Sequence, residues 1–150
     1  MNKKALILIS AIALVLILTT SAITMAFSPK KNLKPSEYGL GTTYELAVAE
    51  KKPFIAIFYS DWCSYCVQSM PKYEALADIY KGKYNMVMVN TDDPLHFDLT
   101  RSFAISSLPT IYIVDPSIDN RINLTPGIYN SLAALRVEFD RYLRIRSMIK

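Results

Sequence analysis

Residues 54–71 of the 150-residue chain read FIAIFYSDWCSYCVQSMP. Phe54 to Tyr59 form an apolar run rich in β-formers, the pattern of a strand buried on both faces. A helix follows over 64–81, where Val67, Met70, Tyr73, Leu76, Ala77 and Tyr80 recur at helical spacing. Pro71 lies inside that run and should kink it. The chain's two cysteines, Cys63 and Cys66, fall where the strand gives way to the helix. A cysteine at a helix start faces unpaired backbone N–H groups and the positive end of the helix dipole, and both stabilise a thiolate. The thiolate is the attacking species in thiol–disulfide exchange. A second thiol one turn along can then attack the mixed disulfide. This placement makes Cys63 the nucleophile and Cys66 the resolving cysteine.

Other readings of the pair are weaker. A structural zinc site needs four ligands, and two cysteines with the distant His96 cannot supply them in one chain. A purely structural disulfide would close a loop of four residues, which chain entropy values at about 2 kcal/mol before any strain. Two buried inert thiols would not need this spacing at a strand–helix junction. Redox chemistry is the expectation, with no metal and no cofactor beyond the disulfide itself.

Working outward, Thr42-Thr43-Tyr44-Glu45 has capping-box spacing and predicts a short helix to about Lys51, stopped by Pro53. Asn85 to Asn90 is a second buried strand, and Asp93-Pro94 opens a helix to about Phe103. Thr110 to Val114 is a third strand, closed by an Asp115-Pro116 turn, and Arg121 to Leu124 returns antiparallel at an edge. Asn130 or Ser131 caps a final helix with Leu132, Leu135, Phe139, Tyr142 and Leu143 on one face. Alternating strands and helices give an α/β sandwich, a central mixed sheet flanked by helices.

The N-terminal part is of another kind. Ala5 to Phe27 carries no charge over 23 residues, a length of about 34 Å as a helix, enough to cross a hydrocarbon core. Residues 1–27 are therefore a signal-anchor or a signal peptide, with weak cleavage sites after Ala22 and Ala26 favouring the anchor. Residues 28–41, with two prolines, two glycines and three lysines, form a linker, and 42–150 the folded domain. The net charge of +4 would suit a nucleic-acid binder, but five lysines flank the apolar segment, and the remaining 12 basic residues face 13 acidic ones. No nucleic-acid partner is expected. Four residues ahead of the apolar run resemble a signal n-region, which places the domain outside the cytoplasm, membrane-anchored, or secreted if the signal is cleaved.

Over about residues 44–145 the chain resembles the thioredoxin family. Trp62-Cys63-Ser64-Tyr65-Cys66 matches that family's active-site loop, and Pro71 its kinking proline. Leu108-Pro109-Thr110 matches the loop whose proline is cis and lies against the cysteines, and Gly127 a glycine ahead of the last helix. The resemblance implies a thioredoxin-like fold and a thiol–disulfide oxidoreductase. Its partners would be client proteins with cysteines and a redox partner that recharges the pair. Trp62, Leu108 and Pro109 are then expected to contact the client, Leu108 through its backbone. A binding or chaperone-like module of the same fold, without turnover, is the alternative.

The departures matter too. Cytosolic members of the family carry a buried acid six residues before the first cysteine, with a lysine partner; here the positions hold Ile57 and Met88. Ser64-Tyr65 between the cysteines carries no charge, which argues against the most oxidising branches. Of the remaining polar residues, Asp61 is read as a solvated loop charge and His96 as a solvated surface histidine. Asn123-Leu124-Thr125 has the spacing of a glycosylation acceptor, relevant only in a eukaryotic secretory setting. Arg136, Arg141, Arg144 and Arg146 are read as the wet face of the last helix, with contact with anionic lipid as the alternative.

Overall fold

The computed structural model describes residues 33–129 and 131–149. The apolar segment 1–27 and the first part of the 28–41 stretch lie outside the described residues, as does Asn130. Among the described residues no helix is long and apolar enough to cross a membrane.

The part of the linker that is described is not a free tether. Pro35–Tyr38 form a 3₁₀ turn with Pro35 buried, and Tyr38 and Leu40 pack against the core. Gly41, at φ +93°, brings the chain against the sheet, where an added Cβ would meet the Met86 carbonyl oxygen at 2.2 Å. Thr42 then bridges Val87 in parallel, its N–H donating to that Met86 carbonyl at 2.9 Å. The predicted capping box fails for this reason. Thr42 is taken by the sheet, and Thr43 caps helix α1 (Tyr44–Ala49), accepting from the Leu46 N–H.

Strand β1 (Phe54–Tyr59) is buried throughout, as its unbroken apolar run requires. It leads into α2 (Ser64–Ile79), which contains Pro71. Strand β2 (Asn85–Asn90) follows. Asp93 caps the next turn as expected, accepting from the Leu95 N–H, but Pro94–His96 wind as a 3₁₀ turn before α3 (Phe97–Ser102) begins. Strands β3 (Thr110–Asp115) and β4 (Asn120–Asn123), a four-residue helix α4 (Pro126–Tyr129) and α5 (Leu132–Met148), capped by Ser131, complete the chain.

The sheet runs β2-β1-β3-β4. β1 pairs β2 in parallel and β3 antiparallel, and β3 pairs β4 antiparallel. The period-two pleat sorts the central strand. Ile55 and Ile57 join Met70, Tyr73, Leu135 and Phe139 under α2 and α5, whereas Phe54, Ala56 and Phe58 meet Ala47 and Phe103 under α1 and α3. Helices thus cover both faces of a mixed sheet, and β1 delivers its C-terminal end to the cysteine loop.

One expectation about α5 is corrected. Arg146 does not lie on the wet face with Arg136, Arg141 and Arg144; it reaches the wholly buried Asp115 at the end of β3. Tyr142 donates to the same carboxylate at 3.1 Å, and Ser117 donates to it from both its N–H (3.1 Å) and its hydroxyl (2.6 Å). Burial opposes ionisation of Asp115, but these hydrogen bonds outweigh it and hold the carboxyl below its ordinary value. Position 146 falls on the helical stripe of Leu135, Phe139 and Tyr142, so the geometry sends it inward with them.

Candidate active site

The loop between β1 and α2 is fixed by its own backbone. The Cys63 N–H donates to the Ser60 carbonyl at 3.2 Å, and the Ser60 and Thr91 hydroxyls meet at 2.8 Å. Thr91 also donates its N–H to the Tyr59 carbonyl, which ties the ends of β1 and β2 together. Cys63 occupies the N-cap of α2, where the Cys66 N–H donates to its Sγ at 3.2 Å. That amide favours a thiolate on Cys63 once the pair is reduced.

Cys63 and Cys66 are joined as a disulfide, with Cα atoms 5.2 Å apart. Cys66 is 0% exposed and Cys63 only 5%. Cys63 is nearly covered, yet it lines a cavity of about 440 Å³ whose wall does not include Cys66. Trp62 and Tyr65 flank the opening and are 75% and 72% exposed. Ser64, Thr91, Thr100, Ile105, Ser106, Ser107 and Leu108 complete the lining, which holds no charged side chain. Thr100 Oγ1 is buried in the wall without a hydrogen-bond partner.

The Leu108–Pro109 peptide bond is cis, and Leu108 packs against the cysteine cluster. The structure thus brings Trp62, Cys63 and Leu108 to one cavity, with Cys66 behind and Pro109 outside its lining. Tyr59 and Met88 also pack on the cysteines. Met88 sits beside Ile57 across the β1–β2 pairing, so the positions of the family's acid and lysine are adjacent and apolar here. Burial, then the negative charges of Asp61 and Asp93, push the Tyr59 phenol above its ordinary value. Among the described residues no cluster of three or more His, Cys, Asp or Glu is placed to hold a metal ion.

Two polar residues differ from their sequence reading. Asp61 is not simply solvated: its carboxylate accepts from the Ser36 N–H at 3.0 Å and the Ser36 hydroxyl at 2.7 Å. His96 Nδ1 lies 3.1 Å from the Asn90 carbonyl oxygen, a contact of the β2 end rather than of the cysteines. The Ser36 clamp and the Thr91–Thr100 wall left no motif in the sequence, because each joins residues from separate elements.

The Thioredoxin family profile matches residues 39–128, more than half of the chain. The chain belongs to the thioredoxin family. Its cysteine pair sits in this thioredoxin domain as a thiol–disulfide redox pair. Among curated relatives, protein disulfide-isomerase A4 from Bos taurus is 33% identical over 94 residues, 62% of this chain and 14% of that protein. The chloroplastic thioredoxin-like protein CITRX from Oryza sativa is 35% identical over 85 residues, 56% of this chain and 44% of the relative. The chain thus spans well under two thirds of the length of these relatives. Two solved structures share the fold of the thioredoxin domain. They are the J-Trx1 fragment of ERdj5 (TM-score 0.58, 23% identity, 67% of this chain and 46% of that one) and Fasciola hepatica thioredoxin (TM-score 0.54, 19% identity, 65% and 88%).

Proposed function

We propose that the domain is a thiol–disulfide oxidoreductase that exchanges disulfides with cysteine-bearing client proteins outside the cytoplasm. Residues 5–27 tether it to the membrane, or release it by cleavage. The observation that carries this reading is the asymmetry of the pair: Cys63 lines the cavity with an amide on its sulfur, and Cys66 is sealed beneath it.

In the reducing direction the Cys63 thiolate attacks one sulfur of a client cystine, and the other client sulfur leaves as a thiolate. Cys66, deprotonated, then attacks Cys63 Sγ. The mixed disulfide breaks, the client departs with both sulfurs reduced by the two electrons the pair has given up, and Cys63 and Cys66 are left joined as a disulfide. The oxidising direction is the reverse. Net flow follows the potential of the pair against the partner that recharges it, and no further cofactor is required. Trp62 and Tyr65 offer apolar surface to the client, and Leu108 and Pro109 shape the loop beside the sulfur.

The test uses the purified full-length chain and a fluorescent disulfide substrate. Cys63→Ser is expected to abolish exchange, and Cys66→Ser to accumulate mixed disulfides through Cys63. Exchange that survives Cys63→Ser would remove Cys63 as the nucleophile, and a native chain that retains clients without any exchange would leave the binding-module reading in its place.

A further inference from the structure

The cavity beside Cys63 is lined by five serine or threonine side chains and by no charged one. Thr91 is spent: its hydroxyl meets that of Ser60 at 2.8 Å and donates to the Tyr59 carbonyl at 3.2 Å. The other four are not. Ser64, Ser106 and Ser107 are exposed, and their hydroxyls make no hydrogen bond within the described residues. Thr100, on α3, is half-buried, with its Oγ1 covered and unpartnered. A covered hydroxyl without a partner is a standing cost to the fold, and a bound group that pairs with it removes that cost.

We propose that this cavity is a side-chain subsite for an uncharged, hydrogen-bonding client residue next to the client cysteine, a carboxamide above all, and that Thr100 is its specificity-determining residue. The proposal rests on the oxidoreductase reading, because a client sulfur bonded to Cys63 brings its flanking residue to the cavity that Cys63 lines. Client residues fare differently there by class. A carboxylate or an ammonium group leaves water for a wall that offers no counter-ion. Asp61 and Asp93 act on Tyr59, which packs on the cysteines, so a carboxylate meets repulsion as well. An aliphatic side chain suits Ile105 and Leu108, but it displaces water from the serine hydroxyls without replacing the hydrogen bonds. A carboxamide donates and accepts, so it replaces that water and can also pair with Thr100. Threonine in a helix has a second rotamer within reach, which carries its oxygen to another side of Cβ. A wrong side chain leaves the site's own polar groups unpaired, and discrimination comes from that loss.

The experiment uses the full chain, reduced beforehand, and short peptides whose one cysteine is joined by a disulfide to a fluorescent thiol. The residue before or after that cysteine is glutamine, leucine, lysine or glutamate. Each second-order rate of fluorophore release is divided by the rate of dithiothreitol on the same peptide, which removes the peptide's own reactivity. At one of the two positions the normalised rate for glutamine should exceed that for leucine by about tenfold, with lysine below leucine and glutamate lowest. Thr100→Val keeps the shape and removes the hydroxyl. It should erase most of the glutamine-over-leucine ratio while thermal melting is unchanged or raised, and Thr100→Ser should keep the ratio. Equal normalised rates across the series overturn the subsite and leave the oxidoreductase standing. Leucine faster than glutamine overturns the hydrogen-bonding assignment, and a ratio that Thr100→Val does not move overturns the role of Thr100. Release from none of the peptides overturns the oxidoreductase reading and the subsite with it.

Discussion

The two ends of the sheet bury opposite kinds of chemistry. Where β1 and β2 finish, Cys63 and Cys66 are packed among Tyr59, Met88 and Leu108, and this cluster contains no ion pair. Where β3 finishes, beside the start of β1, the buried Asp115 receives Arg146, Tyr142 and Ser117. A buried charge whose oxygens are all matched locks geometry and has nothing left to offer a partner. A buried sulfur held by one amide keeps its reactivity, because no counter-ion traps its charge. One end of the domain is thus organised for stability and the other for exchange.

The comparison breaks most visibly at Arg146. Arg146→Ala leaves Asp115 buried and unpaired, and thermal melting should report a loss of about 3 kcal/mol. Exchange per folded molecule should be unchanged. A collapse of exchange with native-like melting would mean that the two ends are coupled. At the other end, Ile57→Asp places an acid beside Met88 in an apolar layer. It should destabilise by about 2 kcal/mol and speed release of the mixed disulfide, followed by single-turnover kinetics. Unchanged stability and unchanged release would show that position 57 does not limit the resolving step.

Acid and base should sharpen the contrast. The folded pKa of Asp115 lies below its ordinary value, so its contribution is present above the ordinary carboxylate range and lost as pH falls through the lower folded value. Urea midpoints should fall on acidification in the native chain and much less in Asp115→Asn. Burial first of all pushes Tyr73, Tyr80 and Tyr142 up to about 12. These phenols stay neutral in the fold after they ionise in the unfolded chain, so stability should decline as pH rises from about 10 to 12. A midpoint that is flat across that interval would contradict their burial. The smallest effect is expected from Ser36→Ala, which removes one hydrogen bond at an exposed site, worth less than about 1 kcal/mol. Freed of its clamp, the Asp61 carboxylate should slow alkylation of reduced Cys63 near neutral pH. An unchanged rate would confine Ser36 to a structural part.

Local patterns were legible where one element carried the whole signal. The FIAIFY run, the cysteines at a helix start and the Asp93-Pro94 turn each follow from neighbours in sequence, and the strand limits 54–59 and 85–90 match the structure. The last cap was readable for the same reason only as Asn130 or Ser131, and the structure takes Ser131. Contacts between elements were not legible. Arg146 looked like one of four similar arginines until the turn after β3 brought Asp115 beneath it. Asp61 looked solvated because its partner lies 25 residues earlier, in a stretch whose composition suggested only a linker. The cavity wall at Thr91, Thr100 and Ser106 depends on how α3 packs, which residue types alone do not fix.

The bridge between Thr42 and Val87 bears on crowding. β2 is an outer strand, and an outer strand with unpaired amides invites another chain to add to it. By laying Gly41 and Thr42 along β2, the polypeptide blocks part of that rim with its own backbone. The opposite rim, β4, is only four residues long and carries Arg121 between two asparagines and Ile122. Neither rim offers a long template for strand addition. Many copies confined to one surface would therefore meet with little tendency to aggregate edge to edge.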